Sequence, residues 1–172
     1  MRIRTIAAAL TAAAALSFSA VPASADGHGL PKIPTITLEM AKKMADVCEA
    51  MSVEKGWRMD IAVVDRGADL VVFRRMDNAF LGSVGIAINK AKSSARFPFS
   101  TRFIAELAYG KDGQPGGLPG AAMIDDIIPF AGGLPIMAGE MHIGGIGVSG
   151  DTADNDEICA QAAIDAVAAD LK

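Results

Sequence analysis

The order of helical and strand patterns along the chain predicts an α+β fold, in which one antiparallel β-sheet is flanked by α-helices. Apolar spacing typical of helices and of strands occurs in the order α-ββ-α-ββ-α. Each pair of strands is joined by a short turn, which is typical of hairpins and not of parallel βαβ units. A single sheet with helices packed against it follows from this order.

The first 25 residues have the pattern of a secretory signal peptide. Arg2 and Arg4 precede the apolar run Ile6–Leu16, and the small residues Ala23 and Ala25 precede a cleavage site after residue 25. This run is too short and too rich in alanine for a membrane span. We therefore expect residues 1–25 to be removed and the mature protein to be periplasmic or secreted.

The rest of the chain has the size and charge of one acidic domain. Residues 26–36 are rich in glycine and proline and predict a flexible lead-in, whereas residues 37–172 are long enough to form a domain with its own core. Without the leader, fourteen basic residues face twenty acidic ones, with no block of Lys or Arg. This balance argues against nucleic acid as a partner, and no run in the mature chain is long enough to span a membrane.

The first half of the domain reads as one helix followed by one hairpin. Leu38–Lys55 carries a broad apolar stripe, with Thr37 as its N-cap and Gly56 just beyond its end. Asp60–Asp65 and Leu70–Arg75 have the composition of two strands. The turn between them contains glycine and aspartate, as hairpin turns commonly do.

The next helix is predicted over Phe80–Phe97, because apolar residues recur there at helical spacing until Pro98. Asp77 or Asn78 is its candidate N-cap. A further helical turn is expected within Phe99–Lys111.

The last third of the domain contains a glycine-rich hairpin and a final helix. Ala122–Phe130 fits either a short helix or an edge strand. Leu134–Ala138 and Met141–Val148 then read as two strands joined by a tight turn. Ala153–Lys172 predicts the last helix, with Thr152 as its N-cap.

The two cysteines, Cys48 and Cys159, allow two interpretations. Export would permit a disulfide between them. Each could equally be a small buried residue on a helix, as free cysteines commonly are. Sequence spacing does not decide between these alternatives.

Histidine is the residue type that could bind a metal or haem iron, and the chain has two. His142 lies in the second strand of the glycine-rich hairpin, where Gly144 and Gly145 would leave room for a flat macrocycle. The alternative is a half-exposed strand histidine beside Glu140. His28 lies in the lead-in, where it could reach a metal or be merely solvated.

Other catalytic and metal-binding signatures are absent from the sequence. No Walker motif, dinucleotide fingerprint or nucleophile elbow occurs, so no catalytic residue is predicted. The acidic residues around the start of the last helix lack the spacing of a calcium loop. The helix dipole accounts for them, because negative charge is stabilised at helix N-termini.

Several segments together resemble the GlcG/HbpS family of haem-binding proteins, which is also called the haem-degrading domain family. The segments are IAVVD (61–65), LVVFRRMD (70–77), AINKAK (87–92), GGLPI (132–136) and GGIGVSG (144–150), followed by Asp156-Glu157. The resemblance covers about Thr37 to Leu171.

The resemblance implies a profilin-like arrangement of the sheet and helices, assembly into homo-oligomers and, for some members, haem binding outside the cytoplasm. It also implies that Phe97–Thr101 forms a wall of the haem pocket. No family motif fixes the iron ligand in this sequence, so His142 and His28 are the candidates by their chemistry.

Three functions are compatible with this sequence. The first is an exported haem-binding homo-oligomer that sequesters or senses haem. The second is a non-enzymatic accessory or assembly module of an oxidoreductase system, in which the glycine-rich hairpin would serve subunit packing. The third is an enzyme that degrades haem, which the sequence supports least because it contains no convincing acid–base pair.

Overall fold

Four antiparallel strands form one sheet in the computed structural model, which describes residues 33–172. The strands are β1 (Asp60–Asp65), β2 (Leu70–Arg75), β3 (Gly133–Ala138) and β4 (Met141–Ser149), and their order in the sheet is β2-β1-β4-β3. The predicted α+β fold with an antiparallel sheet is confirmed. The predicted leader and His28 lie outside the described residues.

Helices cover both faces of this sheet. They are α1 (Leu38–Lys55), α2 (Ser83–Arg96), α3 (Thr101–Tyr109), a 3-10 helix (Pro119–Met123) and α4 (Ala153–Asp165). Helices α1 and α4 pack together on one face, and α2 packs on the other. Helix α3 lies against the 3-10 helix and also contacts α2 and β3. Within residues 33–172, no helix has an apolar stretch long enough to cross a membrane.

The predicted bounds of α1 and of both strands of the first hairpin are confirmed, whereas α2 begins three residues later than predicted. Gly82 is its N-cap, and neither Asp77 nor Asn78 caps it. Asn78 instead adopts a left-handed conformation in the preceding turn, with φ of 65°.

Two other predicted elements differ from the structure. Helix α4 ends at Asp165 and gives way to turns, so the prediction that it continues to Lys172 is wrong. The 3-10 helix ends at Met123, and the segment from Ile124 to Phe130 forms neither the short helix nor the edge strand that its composition allowed.

Two apolar layers of different character hold the sheet. The layer under α1 and α4 contains large side chains such as Met44, Ile61 and Ile146. The layer under α2 consists mostly of alanines, including Ala62 and Ala91. Small side chains let α2 approach the sheet closely, because the distance between two packed elements depends on the size of the side chains at their contact.

A disulfide joins the first helix to the last. Cys48 of α1 and Cys159 of α4 are bonded, with their Cα atoms 5.0 Å apart, and both residues are fully buried. The structure therefore contains the disulfide and not two free buried cysteines.

Candidate functional site

An apolar cavity of about 210 Å³ opens between the α2–α3 connection, α3 and the 3-10 helix. Every residue of its lining is apolar: Phe97, Phe99, Ile104, Leu107, Leu118, Ala121, Ile124 and Ile127. The cavity can therefore hold apolar surface of a ligand, and its lining offers no charged group. We call it the α3 cavity.

Local sequence explains why α3 forms one wall of this cavity. Ser100 caps the helix, since its Oγ accepts a hydrogen bond of 3.1 Å from the backbone N–H of Phe103. Ile104 packs in a small cluster with Ala121 and Ile127, which fixes α3 against the 3-10 helix. The backbone N–H of Leu118 donates to the carbonyl oxygen of α3 residue Leu107 at 2.8 Å and brings the two segments together.

The residues of the predicted pocket wall, Phe97–Thr101, have two different roles. Phe97 lines the α3 cavity, together with Phe99. Thr101 is fully buried away from the cavity, and its Oγ1 accepts a hydrogen bond of 2.9 Å from the backbone N–H of Gly133. In this fold Thr101 attaches α3 to β3.

His142 projects on the face of the sheet that α2 covers, because the register shifts by one residue between Ile136 and Met137. Beyond this shift, Met137 pairs with His142, and cross-strand partners project on the same face. Ile143 joins the core under α1 and α4 instead. Strict alternation along β4 would put His142 on the same face as Ile146, and this bulge prevents that arrangement.

The contacts of α2 indicate where His142 lies along the sheet. Gly147 lies against Ala87 and Ala91, and Gly145 lies against Ala91 and Ala95. Residues nearer the start of β4 therefore lie against residues nearer the end of α2. His142 lies farther along β4 in the same direction, beyond the strand position that packs against Ala95.

The imidazole of His142 is half-buried, and its Nε2 atom is shielded from solvent. Within the described part of the chain, this nitrogen has no hydrogen-bond partner. An unpartnered imidazole nitrogen can bind a metal, and here a ligand would reach it only if neighbouring atoms moved. His142 is not part of the α3 cavity lining.

The two predicted site glycines pack against the protein's own backbone. A Cβ atom at Gly144 would meet the carbonyl oxygen of Val64, and one at Gly145 would meet the backbone of Ala91 and Ala95. Close approach of β1 and α2 therefore accounts for the missing side chains. Contact of Gly144 and Gly145 with a cofactor stays a prediction.

Residues 33–172 contain no group of three or more His, Cys, Asp or Glu side chains that could hold a metal ion. In this part of the chain, the metal prediction therefore depends on His142 alone. The second predicted ligand, His28, lies outside the described residues.

A buried ion pair that the sequence did not predict joins the two helical layers. Lys90 of α2 and Asp156 of α4 form a salt bridge of 2.7 Å, and their side chains are at most 3% exposed. The Nζ atom of Lys90 also donates to the carbonyl oxygen of Val148 at 2.9 Å and lies 4.7 Å from the centre of the Phe130 ring. Burial lowers the pKa of Lys90 and raises the pKa of Asp156.

This ion pair draws together segments that the sequence singled out separately. Lys90 belongs to AINKAK, Val148 to GGIGVSG and Asp156 to the acidic pair, while Gly132 begins GGLPI. A Cβ atom at Gly132 would meet both Lys90 and Asp156. One feature of the sequence could have indicated that Lys90 is buried. It falls on the same helical stripe as Ala87 and Ala91.

Comparison with known proteins shows the family to which this chain belongs. A family model described as "Haem degrading protein HbpS-like" matches residues 36–165. A protein of Citrobacter freundii, described as an uncharacterized 15.0 kDa protein in the dhaT-dhaS intergenic region, is 37% identical over 137 residues, covering 78% of this chain and 93% of the relative.

Two solved structures share the fold. A double mutant of Streptomyces reticuli HbpS is 30% identical with a TM-score of 0.72, and the match covers 93% of this chain and 97% of that one. The PduOC:Heme complex is 21% identical with a TM-score of 0.69, covering 77% and 95% of the two chains. The second similarity concerns the fold alone.

Proposed function

This chain belongs to the HbpS-like family of haem degrading proteins, and we propose from this premise that it is an exported haem-binding protein. It would sequester or sense haem outside the cytoplasm and act as a homo-oligomer. The α3 cavity is the observation that carries the proposal. Binding sites for tetrapyrroles and other organic ligands are concave and mostly apolar, as this cavity is.

The residues of the α3 cavity fit part of a haem. Phe97 and Phe99 offer aromatic surface to a flat ring, and no charged side chain interrupts the lining. An iron ligand must come from outside the lining. His142, whose Nε2 atom has no hydrogen-bond partner, is the candidate among the described residues. Haem iron, when bound, supplies redox and ligand-binding chemistry.

Two independent features support export. Residues 1–25 have the sequence pattern of a cleavable secretory leader. The buried disulfide between Cys48 and Cys159 is the second feature, because disulfides persist in oxidising compartments and are rare in the cytosol.

The direct test is a titration of the mature protein with hemin, followed by Soret absorbance. We expect saturable binding that weakens at least tenfold in Phe97→Ala, because the variant removes aromatic surface from the cavity. We expect His142→Ala to change the Soret position if His142 binds the iron, and His28→Ala to do so if His28 does.

Phe80→Ala is the matched control, because Phe80 is exposed and lies outside the cavity lining. It should bind hemin like the unmodified protein. Binding that does not saturate, or equal affinity in Phe97→Ala and the unmodified protein, would contradict the proposed site.

An accessory role in an oxidoreductase system is the second candidate function. The observation that favours it is the Citrobacter relative, which is described only by its place between dhaT and dhaS. This role predicts a stable complex with a protein encoded nearby and no saturable hemin binding. Co-purification from the native host, with and without hemin, separates the two functions.

Haem degradation is the third possibility, and the family description includes it. The α3 cavity lining contains no titratable side chain that could transfer a proton. We therefore expect the bound Soret band to persist when a reductant is added in air. Conversion to a bilin-like absorber would instead identify an enzyme.

A further inference from the structure

We propose that Met137 and His142 form a binding site for monovalent copper. The site goes beyond haem binding, because neither residue belongs to the lining of the α3 cavity. Three observations support it: the register of the β3–β4 hairpin, the unpartnered nitrogen of His142 and the kinds of ligand atom that meet there.

The register shift in the hairpin places a thioether opposite an imidazole. Ile136 pairs with Gly144, so an unbroken register would put Met137 opposite Ile143. The shift instead pairs Met137 with His142. Cross-strand partners project on one face of the sheet with Cβ atoms about 4.5–5.5 Å apart, so both side chains can reach one ion. Bulges commonly re-aim a side chain at a functional site, and this bulge brings the two ligands together.

The Nε2 atom of His142 is available to a metal ion. It is shielded from solvent and has no hydrogen-bond partner within residues 33–172. A neutral imidazole with its proton on Nδ1 keeps the lone pair of Nε2 free for a metal. Met137 is half-buried and unbranched, so its side chain can turn towards this nitrogen without a change in the backbone. The exposed turn Gly139–Glu140 lies beside the pair and gives an ion a way in from solvent.

The two ligand atoms together select copper. Thioether sulfur favours soft ions such as Cu(I), whereas imidazole binds zinc, copper, iron and nickel. Copper is the metal that suits both. Zinc sites are built from Cys, His, Asp and Glu, and residues 33–172 contain no group of three such side chains. Shielding from water adds to the preference, because the surroundings of a metal control its redox potential.

The neighbouring methionine of the hairpin provides a matched control. Met141 pairs with Ala138, so its thioether projects from the opposite face of the sheet, away from the imidazole of His142. It is also 49% exposed. Met141 therefore offers the same ligand atom next to His142 in sequence but outside the proposed site.

A competition titration tests the site. The mature protein carrying His28→Ala, in which His142 is the remaining histidine, is titrated anaerobically with Cu(I) against a chromophoric Cu(I) chelator. We expect this parent protein to bind one Cu(I) per chain. Met137→Leu and His142→Ala should each weaken binding at least tenfold, because each removes one ligand. Met141→Leu should bind Cu(I) like the parent protein.

A spectroscopic measurement separates loss of a ligand from damage to the fold. Copper X-ray absorption of the loaded protein should show a sulfur neighbour that disappears in Met137→Leu and persists in Met141→Leu. Leucine and methionine have similar volumes, so Met137→Leu should melt close to the temperature of the parent protein.

The possible results keep this inference apart from the proposed function. Equal Cu(I) affinity in Met137→Leu and the parent protein overturns the site, and so does an equal loss of affinity in Met141→Leu and Met137→Leu. A parent protein that yields all its Cu(I) to the chelator, or that never saturates, also overturns it. None of these results affects haem binding, which the hemin titration measures separately. Phe97→Ala should bind Cu(I) with unchanged affinity, so failure of the haem site would leave the copper site intact.

Discussion

At the scale of single residues, Gly147 sets the distance between α2 and the sheet. A Cβ atom there would meet the backbone of Ala87 and Ala91, so the helix would have to move. Gly85 of α2 is the opposite case, because nothing lies within 4 Å of its Cβ position. The same substitution should therefore have opposite effects at these two glycines.

We expect Gly147→Ala to lower the free energy of unfolding by about 1–3 kcal/mol, the usual cost of overpacking a core. Gly85→Ala should raise it by about 0.5–1 kcal/mol, because alanine is the better residue inside a helix. Urea denaturation of both variants measures the difference. Equal changes in the two variants would contradict the packing described here.

Asp60 is a buried carboxylate whose two oxygen atoms have no hydrogen-bond partner within residues 33–172. Burial raises its pKa above the usual 3.8, although the charge of Arg75 opposes this. The native state therefore disfavours the ionised form, and Asp60 costs stability at pH values above its native pKa.

Asp60→Asn should raise the free energy of unfolding at pH 7 by about 1 kcal/mol, because it removes the uncompensated charge. The advantage should shrink as the pH falls through the native pKa and be smallest below 3.8, where the carboxyl group of the unmodified protein is mostly neutral in both states. Thermal melts between pH 3.5 and pH 7, run in parallel with the exposed control Asp77→Asn, measure this dependence. A constant advantage across that range would refute it.

His142 and Lys90 illustrate the limits of prediction for single residues. The sequence identified His142 as a candidate ligand, but the face on which it lies depends on a one-residue bulge that reverses the alternation of the strand. The ion pair of Lys90 was not predicted, since its partner Asp156 lies 66 positions away. Contacts between distant segments leave little trace in local spacing.

At the scale of elements, local signals predicted the structure where a cap or a turn was present. Thr37 accepts a hydrogen bond from the N–H of Met40, and Gly56 ends α1 with φ of 76°. Thr152 caps α4 in the same way. Helix α2 has no side-chain cap, so its apolar stripe alone could not mark where it begins.

The disulfide joins two elements of the same layer, α1 and α4. We expect its removal in the double variant Cys48→Ala/Cys159→Ala to lower the free energy of unfolding by about 2–4 kcal/mol, because the cross-link restricts the unfolded chain. Reduction of the unmodified protein should lower its melting temperature as well. The double variant is the control for this treatment, and a reductant should leave its melting temperature unchanged.

At the scale of the whole molecule, the Lys90–Asp156 ion pair connects the helix on one face of the sheet to a helix on the other. Gly132 makes room for the contact beside the start of β3. Both helical layers and the sheet therefore meet at one buried pair.

Lys90→Met should destabilise the fold by about 3–5 kcal/mol, since it leaves Asp156 buried without its partner. The double variant Lys90→Met/Asp156→Leu should be more stable than Lys90→Met, because it removes the unpaired charge. Urea denaturation of the unmodified protein, of Lys90→Met, of Asp156→Leu and of the double variant gives the coupling between the residues. A double variant that is less stable than Lys90→Met would show that the ion pair is not the source of the effect.

The candidate site was harder to predict than the fold. Phe97 lines the α3 cavity, whereas its place in the wall of a haem pocket stays a prediction. Leu118, Ile124 and Ile127, which complete the cavity, come from a segment whose irregular structure has no periodic pattern. Only the folded chain brings this segment to α3.

The Cys48–Cys159 bond joins the first helix to the last and encloses most of the domain in a covalent ring. A protease that cuts one exposed loop within this ring, such as residues 112–117, would leave two fragments still tied together. The cut protein would keep its mass on a non-reducing gel and separate into two bands only after reduction. Wherever proteases are common, such a ring would prolong the working life of the fold.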